Sequence, residues 1–174
     1  MGLGRRSLGI LGATAGLLMM AGTSTAGAAP GPVDFDRVVN TNSRLCLEVE
    51  NSSTANGARV QQWSCSSRRG DDWYPVRQSN GLYNIVNKNS GKCLEVQNSN
   101  GYNGARVQQW SCVGQEGALW AFFWQSDTQS SEIVSWTSNR CLEIENSSRS
   151  NGARAQLWDC VGQPGIRWTL PYDV

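Results

Sequence analysis

Histidine is absent from the 174 residues of this chain. Histidine is the usual general base near neutral pH and a frequent metal ligand, so Ser–His and Cys–His catalysis and histidine metal centres are excluded. The sequence also lacks a phosphate-cradling glycine loop and an Asp/Asn-rich calcium loop. We therefore expect no cofactor, no metal and no enzymatic activity.

A strong charge of either sign is also missing. The chain has 15 basic and 14 acidic residues, a formal net charge of +1. A nearly neutral chain without a basic run is a poor ligand for nucleic acid or anionic membranes. No apolar run beyond the first 28 residues approaches the length that spans a bilayer. The sequence predicts a soluble mature protein with neither nucleic acid nor membrane as its partner.

The beginning of the chain has the pattern of a secretory signal, which we place at residues 1–28. The pair Arg5-Arg6 precedes an apolar stretch from Leu8 to Met20, and Ala26-Gly27-Ala28 supplies a small-residue cleavage site. The arginine pair leaves both the general and the twin-arginine export routes open. Cleavage would remove those two arginines and leave 13 basic against 14 acidic residues, a net charge of −1. We predict a secreted protein, in an environment where disulfides persist.

The rest of the chain is organised by one phrase that occurs three times. It begins with Cys-Leu-Glu and a β-branched residue at Cys46, Cys93 and Cys141, and ends in Trp-x-Cys at Cys65, Cys112 and Cys160. A further tryptophan follows each phrase, at Trp73, Trp120 and Trp168. A nearly constant period of this length indicates three copies of one supersecondary unit. We assign residues 29–35 to a linker and 36–174 to one domain, with repeats at about 36–80, 81–128 and 129–172.

The repeat predicts the disulfide pairing. Six cysteines allow fifteen pairings, but equivalent, self-sufficient copies select Cys46–Cys65, Cys93–Cys112 and Cys141–Cys160. Zinc is the alternative, and the spacing lacks the C-x-x-C pairs typical of zinc sites.

Each copy has the pattern of short strands joined by turns. In the second copy we predict strands at Leu82–Asn87, Cys93–Gln97 and Ala105–Cys112. Asn-Gly, a strong turn signal, occurs in every copy, at 56–57, 103–104 and 151–152. No segment of the mature chain shows a helical period. Three copies of about four strands predict an all-β closed body with pseudo-threefold symmetry.

Strand alternation brings a carboxylate, an amide and an indole to one face of each copy. If Cys46 lies directly opposite Cys65, Glu48 lies opposite Trp63, with Gln61 on the same face. A carboxylate and an amide can hydrogen-bond sugar hydroxyls, and an indole offers an apolar face to a pyranose ring. The candidate sugar-binding residues are Glu48, Gln61, Trp63, Glu95, Gln108, Trp110, Glu143, Gln156 and Trp158. We assign Trp73, Trp120 and Trp168 to the core.

The phrase Gly-Lys-Cys-Leu-Glu-Val … Asn-Gly-Ala-Arg-Val-Gln-Gln-Trp-Ser-Cys … Trp resembles the repeat of ricin-B-type β-trefoil lectins. These include sugar-binding modules of secreted bacterial xylanases and other glycosidases. The resemblance covers about Asp36 to Leu170. It implies a β-trefoil of twelve strands, one disulfide in each repeat, and up to three galactose- or xylose-type pockets. It also implies that the glutamates are the pocket acids, the tryptophans the stacking aromatics and the glutamines the pocket amides.

The chain departs from that family pattern at two places. All three pocket acids are glutamates where the family typically has aspartate. Before the last tryptophan, where the family usually has Asn-Gln, the chain has Gly70-Asp71, Gly117-Ala118 and Gly165-Ile166. Gln115 and Gln163, in the loops just before, are the expected substitutes.

Three functional classes remain to be compared. A carbohydrate-binding lectin, with a polysaccharide or cell-surface glycan as partner, uses the constellation directly. A protein-binding adaptor, or a targeting subunit of a secreted complex, would instead use the unrepeated aromatics Phe122, Phe123, Trp124 and Trp136. A glycosidase requires two carboxylates across one bond, and single glutamates in three separate pockets do not supply them.

Overall fold

The computed structural model describes residues 37–66 and 69–170. The predicted signal at 1–28 and linker at 29–35 lie outside the described residues. All of the described residues belong to the compact unit Asp34–Val174. No helix in this described part is long and apolar enough to cross a membrane.

The described chain is built from twelve strands, as predicted, with short 3-10 turns between them. The strands are β1 (Val39–Asn40), β2 (Cys46–Val49), β3 (Val60–Trp63), β4 (Trp73–Arg77), β5 (Tyr83–Asn87), β6 (Cys93–Val96), β7 (Val107–Trp110), β8 (Trp120–Gln125), β9 (Ser130–Ser135), β10 (Cys141–Ile144), β11 (Ala155–Trp158) and β12 (Trp168–Thr169). The 3-10 turns are Glu50–Ser52, Arg69–Asp71, Gln97–Ser99, Glu116–Ala118, Glu145–Ser147 and Pro164–Ile166.

Six of the strands form a barrel. Antiparallel pairing runs from β4 through β5, β8, β9 and β12 to β1, and the bridge Arg37↔Asp72 joins the two ends of this series. Closing the sheet removes the free edges that such short strands would otherwise expose. The remaining strands form three hairpins, β2–β3, β6–β7 and β10–β11. Six barrel strands and three hairpins in three repeats are a β-trefoil, which confirms the predicted fold.

The three hairpins contact one another in a cycle. Backbone bridges join Arg59 to Gln108, Arg106 to Gln156, and Arg154 to Gln61. Each repeat therefore extends a segment onto the next one, and the third repeat extends onto the first.

Each repeat contributes to the core the leucine of its Cys-Leu-Glu phrase and its last tryptophan. Leu47, Leu94 and Leu142 are fully buried, and the indoles of Trp73, Trp120 and Trp168 are buried with them. Each indole Nε1–H donates to the carbonyl oxygen of its own repeat's leucine, at 3.0, 2.9 and 3.0 Å respectively. The prediction that these tryptophans belong to the core is confirmed. A large apolar ring is buried at no cost in unpaired polar groups.

All three predicted disulfides are present, Cys46–Cys65, Cys93–Cys112 and Cys141–Cys160, with Cα–Cα distances of 5.1 to 5.3 Å.

The predicted register was wrong by two residues. Cys46 pairs with Trp63, and Glu48 pairs with Gln61 rather than with Trp63; the other two hairpins have the same register. The reason is that β3 ends at Trp63, so Cys65 lies beyond the strand and reaches its partner from the loop. A shift of two residues keeps every side chain on its predicted face.

The strands around the second hairpin are also shorter than predicted. β6 ends at Val96 because Gln97 begins a 3-10 turn, and β7 spans only Val107–Trp110. Inside that turn Asn98 has φ +56°, as Asn51 and Asn146 do at +55° in the other repeats. Asparagine tolerates this left-handed conformation better than most residues.

Candidate functional site

An open hollow on the third hairpin brings the predicted site residues together. It has a volume of about 270 Å³ and is lined by Glu143, Asn146, Ser147, Gln156, Trp158, Val161 and Gln163. Glu143 and Gln156 are paired across β10 and β11, and Trp158 ends β11 on the same face. We call the equivalent surfaces around Glu48 and Glu95 the first and second hollows, and this one the third.

A hydrogen bond between the glutamine and the glutamate occurs in every repeat. The amide Nε2 donates to a carboxylate oxygen at 3.2 Å for Gln61–Glu48, 2.8 Å for Gln108–Glu95 and 2.8 Å for Gln156–Glu143. These six side chains are buried, so this bond satisfies part of each carboxylate's hydrogen-bonding capacity away from water. The arrangement fixes the direction in which each carboxylate can accept further hydrogen bonds.

The tryptophans that end β3, β7 and β11 differ in exposure from the core tryptophans. Trp110 and Trp158 are 39% and 40% exposed, and Trp63 is half-buried. An indole whose ring is partly covered and partly open offers a rigid apolar face at the surface. The glutamates lie beneath the surface and the indoles at its rim.

Opposing influences act on the pKa of the Glu143 carboxyl in the third hollow. Burial raises the pKa of Glu143, whereas side-chain hydrogen bonds from Gln156 and Gln163 lower it and the nearby charge of Glu145 raises it again. A carboxylate that is desolvated in this way can accept further hydrogen bonds from hydroxyl groups.

Gln163 and Gln115 stand in the loops where the sequence predicted substitute amides. Gln163 lines the third hollow, and its side chain donates to Asp159 O at 2.9 Å and accepts from Val161 N–H at 3.1 Å. Gln115 makes the same two bonds, to Ser111 O and from Val113 N–H. Both amides therefore hold their loops in shape, and that of Gln163 also interacts with Glu143.

The glycine before each core tryptophan has a steric role that sequence reasoning missed. A Cβ at Gly70, Gly117 or Gly165 would lie 2.8 Å from the carbonyl oxygen of Val49, Val96 or Ile144. Each glycine N–H donates to the hydroxyl of a serine in the preceding 3-10 turn; these serines are Ser52, Ser99 and Ser147. A polar residue at this glycine position would not fit. The recurrence of Asn-Ser and Gly at fixed spacing was the available signal, and it also points to the lining residues Asn146 and Ser147.

Asp71, which stands where the family usually has glutamine, interacts with groups of the protein itself. It is buried, its carboxylate accepts from Ser66 N–H at 3.2 Å, and it lies 3.6 Å from the Arg37 guanidinium. Its counterparts Ala118 and Ile166 fill small apolar clusters beside Cys93 and Cys141. Burial raises the pKa of Asp71.

The unrepeated aromatics divide into one core residue and three surface residues. Phe122 packs against the core, with its ring centroid 5.0 Å from that of Tyr83. Phe123, Trp124 and Trp136 are more than half exposed.

Fold and hollows together define a class: a β-trefoil that presents a carboxylate, an amide and an indole on each of three hairpins. The model of the ricin-type beta-trefoil lectin domain-like family matches residues 34–110, 76–158 and 116–173, and the chain belongs to this family.

Among solved structures, the chain is similar to the designed 3-fold symmetric protein ThreeFoil, with 33% identity and a TM-score of 0.74, over 77% of this chain and 95% of that one. It is similar to an exo-beta-1,3-galactanase from Clostridium thermocellum, with 28% identity and a TM-score of 0.74, over 77% of this chain. It is also similar to the hemolytic lectin CEL-III, with 27% identity and a TM-score of 0.66, over 83% of this chain. The match spans only 29% and 32% of those two longer chains. No curated protein matches the chain in a sequence comparison.

Proposed function

We propose that this protein is a secreted, non-catalytic lectin that binds galactose- or xylose-type glycans or polysaccharides through its repeated hollows. Family membership and the lectin among its relatives support carbohydrate binding. The observation that carries the proposal is the convergence of Glu143, Gln156 and Trp158 on one open hollow. A pyranose there would place hydroxyls on the carboxylate and C–H groups on the indole.

Repetition supplies what a single shallow site lacks. One hollow exchanges water hydrogen bonds for protein ones and gains little net free energy. Several hollows on one rigid body can engage a polymer together, so that avidity exceeds the affinity of any one of them. A polysaccharide or a cell-surface glycan is therefore the natural partner.

The test is binding of the oxidised protein to a glycan panel and to insoluble polysaccharides. The triple variant Glu48→Gln/Glu95→Gln/Glu143→Gln removes the three carboxylate charges at constant shape. Glu116→Gln/Asp127→Asn removes two exposed carboxylates outside the hollows and is the control. Saccharide binding by the wild type and the control, lost in a folded triple variant, is the expected result. Binding that survives in the triple variant would contradict the proposal.

Export and processing belong to the same proposal. Three disulfides are consistent with an extracellular protein, and we propose cleavage after residue 28 with a mature domain at 36–174. Amino-terminal sequencing of the protein from the culture medium tests this, and recovery of the intact Met1 chain from the cytosol would contradict it.

A protein-binding role is the second candidate, favoured by the exposure of Phe123, Trp124 and Trp136. Exposed large aromatics are more typical of interaction surfaces than of ordinary surface. Pull-down from the secreted proteins of the source, with Phe123→Ser/Trp136→Ser alongside, distinguishes this role: partner capture lost in that variant but kept in the triple glutamine variant supports it.

A further inference from the structure

The first hollow has a side-chain contact that the other two lack within the described residues. Arg59 donates from one terminal guanidinium nitrogen to Gln61 Oε1 at 2.6 Å and to Glu50 Oε1 at 2.8 Å. The Gln61 amide donates in turn to Glu48. A chain of hydrogen bonds thus runs from Glu50 through Arg59 and Gln61 to Glu48.

The counterpart amides are oriented differently. Within the described residues, Arg106 and Arg154 donate no side-chain hydrogen bond to Gln108 or Gln156. The carbonyl oxygens of Gln108 and Gln156 instead point towards the Asn-Gly turn of the preceding repeat, 3.8 and 3.9 Å from a Cβ placed on Gly57 and Gly104. Among the described residues, a Cβ on Gly152, the equivalent turn residue for the first hollow, meets only the Trp63 ring within 4 Å.

Burial follows the same division. Gln61 is 3% exposed, against 8% for Gln108 and 9% for Gln156. Trp63 is half-buried, whereas Trp110 and Trp158 count as exposed. The hydrogen bond from the glutamine amide to the glutamate carboxylate is also longer in the first hollow, 3.2 Å against 2.8 Å in the other two.

These differences bear directly on ligand binding. A hydrogen bond from a guanidinium is charge-assisted and roughly twice as strong as a neutral one. A sugar hydroxyl that approaches the Gln61 carbonyl oxygen therefore finds one of its two lone pairs already taken by Arg59. The carbonyl oxygens of Gln108 and Gln156 present no such competition.

We propose that Arg59 closes the first hollow to sugar by capturing the Gln61 amide, so that the second and third hollows carry binding. This inference rests on the proposed lectin function and sets its valency at two. Arg59 is a positioning residue here, because it acts on the hollow through Gln61.

The matched control lies within the chain. Arg154 follows Glu145 at the same spacing as Arg59 follows Glu50. Within the described residues, however, Arg154 donates no side-chain hydrogen bond to Gln156, which lines the third hollow. Arg59→Ala and Arg154→Ala therefore delete the same side chain from equivalent positions, and only the first deletion releases an amide.

The experiment follows the indole Nε1–H signals of the ¹⁵N-labelled protein during titration with lactose and with xylotriose. Trp→Phe variants at 63, 110 and 158 assign the three hollow indoles. We expect the Trp110 and Trp158 signals to shift in the wild type while Trp63 stays still, and calorimetry to give two sugars per chain. In the Arg59→Ala variant we expect the Trp63 signal to shift as well and the stoichiometry to rise to three sugars per chain. In the Arg154→Ala variant we expect the stoichiometry to stay at two.

Three results overturn the inference. A Trp63 shift in the wild type at the same sugar concentration as Trp110 shows an open first hollow. A Trp63 signal that does not shift in a folded Arg59→Ala variant shows that Arg59 is not what closes the first hollow. If none of the three indole signals shifts with either sugar or with the panel glycans, the proposed function is overturned, and this inference with it.

Discussion

The indole of Trp110 in the second repeat packs against Gly57 in the first, where a Cβ on the glycine would lie 3.7 Å from Cζ3 of the ring. Gly152 of the third repeat lies at the same distance from Trp63 of the first. The Asn-Gly turns of the first and third repeats thus contact the indole at the rim of a hollow in the following repeat, whereas Gly104 of the second lies near Gln156 Oε1. Gly57 has φ +80°, a conformation in which other residues are strained, so the turn is fixed by its sequence.

A substitution in the first repeat is therefore expected to weaken sugar binding in the second hollow. Asn56 Oδ1 accepts from the N–H of Ser111 at 3.0 Å and from its hydroxyl at 3.1 Å, directly after Trp110. Asn56→Ala removes both bonds, and we expect a loss of about 1 kcal/mol in sugar binding there, about fivefold in Kd. The Trp158 signal should titrate unchanged, and an equal effect on both indoles would contradict the prediction.

Substitution of the two kinds of tryptophan should separate stability from binding. Trp120→Phe leaves the Leu94 carbonyl unpaired in the core and creates a small void, so the free energy of unfolding should fall by about 2–4 kcal/mol. Trp110→Phe, at a partly exposed ring, should change it by less than about 1 kcal/mol. Chemical denaturation of both variants measures the difference. Equal destabilisation would show that Trp110 also has a core role.

The stability of the protein should depend on pH through Glu143 in the third hollow. Burial raises the pKa of this carboxyl in the folded protein, so between the unfolded and folded pKa values the folded state binds more protons. The free energy of unfolding contributed by Glu143 therefore falls as the pH rises through that window. Glu143→Gln removes this contribution, so its stability relative to the wild type should increase with pH, while sugar binding in the third hollow is lost at neutral pH.

Binding in the wild type should show the opposite trend at the same site. The carboxylate accepts from sugar hydroxyls, so affinity in the third hollow should weaken as the pH falls through the raised pKa of Glu143. Titrations followed at Trp158, with Glu143→Gln as reference, measure both trends. A pH-independent affinity would remove Glu143 from the set of ligand contacts.

Removal of one disulfide should destabilise the domain without rearranging the other two. Cys93→Ala/Cys112→Ala opens a loop closed over a sequence separation of 19, and we expect a loss of about 3 kcal/mol, within a range of about 2–5. Urea denaturation of the oxidised variant measures it. A loss below about 1 kcal/mol would mean that the pairing of β6 with β7 already holds this loop closed.

The repeat made the fold predictable. A period kept by Cys46, Cys93 and Cys141 indicated three equivalent units, and equivalence alone selected the disulfide pairing and assigned Trp73, Trp120 and Trp168 to one role. Strand alternation placed the glutamate, glutamine and tryptophan on one face. The register could not be predicted, because cysteine spacing does not reveal that β3 ends at Trp63 and that Cys65 bonds from beyond it.

The shape of the hollows was less accessible from the sequence. Glu50 and Arg59 have the same spacing as Glu145 and Arg154, so no local pattern distinguishes the arginine that captures a glutamine from the one that does not. Support between repeats was hidden for a similar reason. Gln109 is held by Ser53 O and Ala55 O, but the third repeat has Leu157 at that position. There, Arg140 and Asp159 hold Asn103 instead. Such contacts join residues that only the folded chain brings together.

The cycle of bridges between hairpins gives this protein a property that open repeat arrays lack. In a solenoid each unit contacts its neighbours along a line, and units can be added or removed at an end that is capped separately. Here the segment that the third repeat extends is received by the first, so there is no end at which a unit could be gained or lost. The number of units is fixed by ring closure, and evolution can vary the hollows one at a time while their count stays constant.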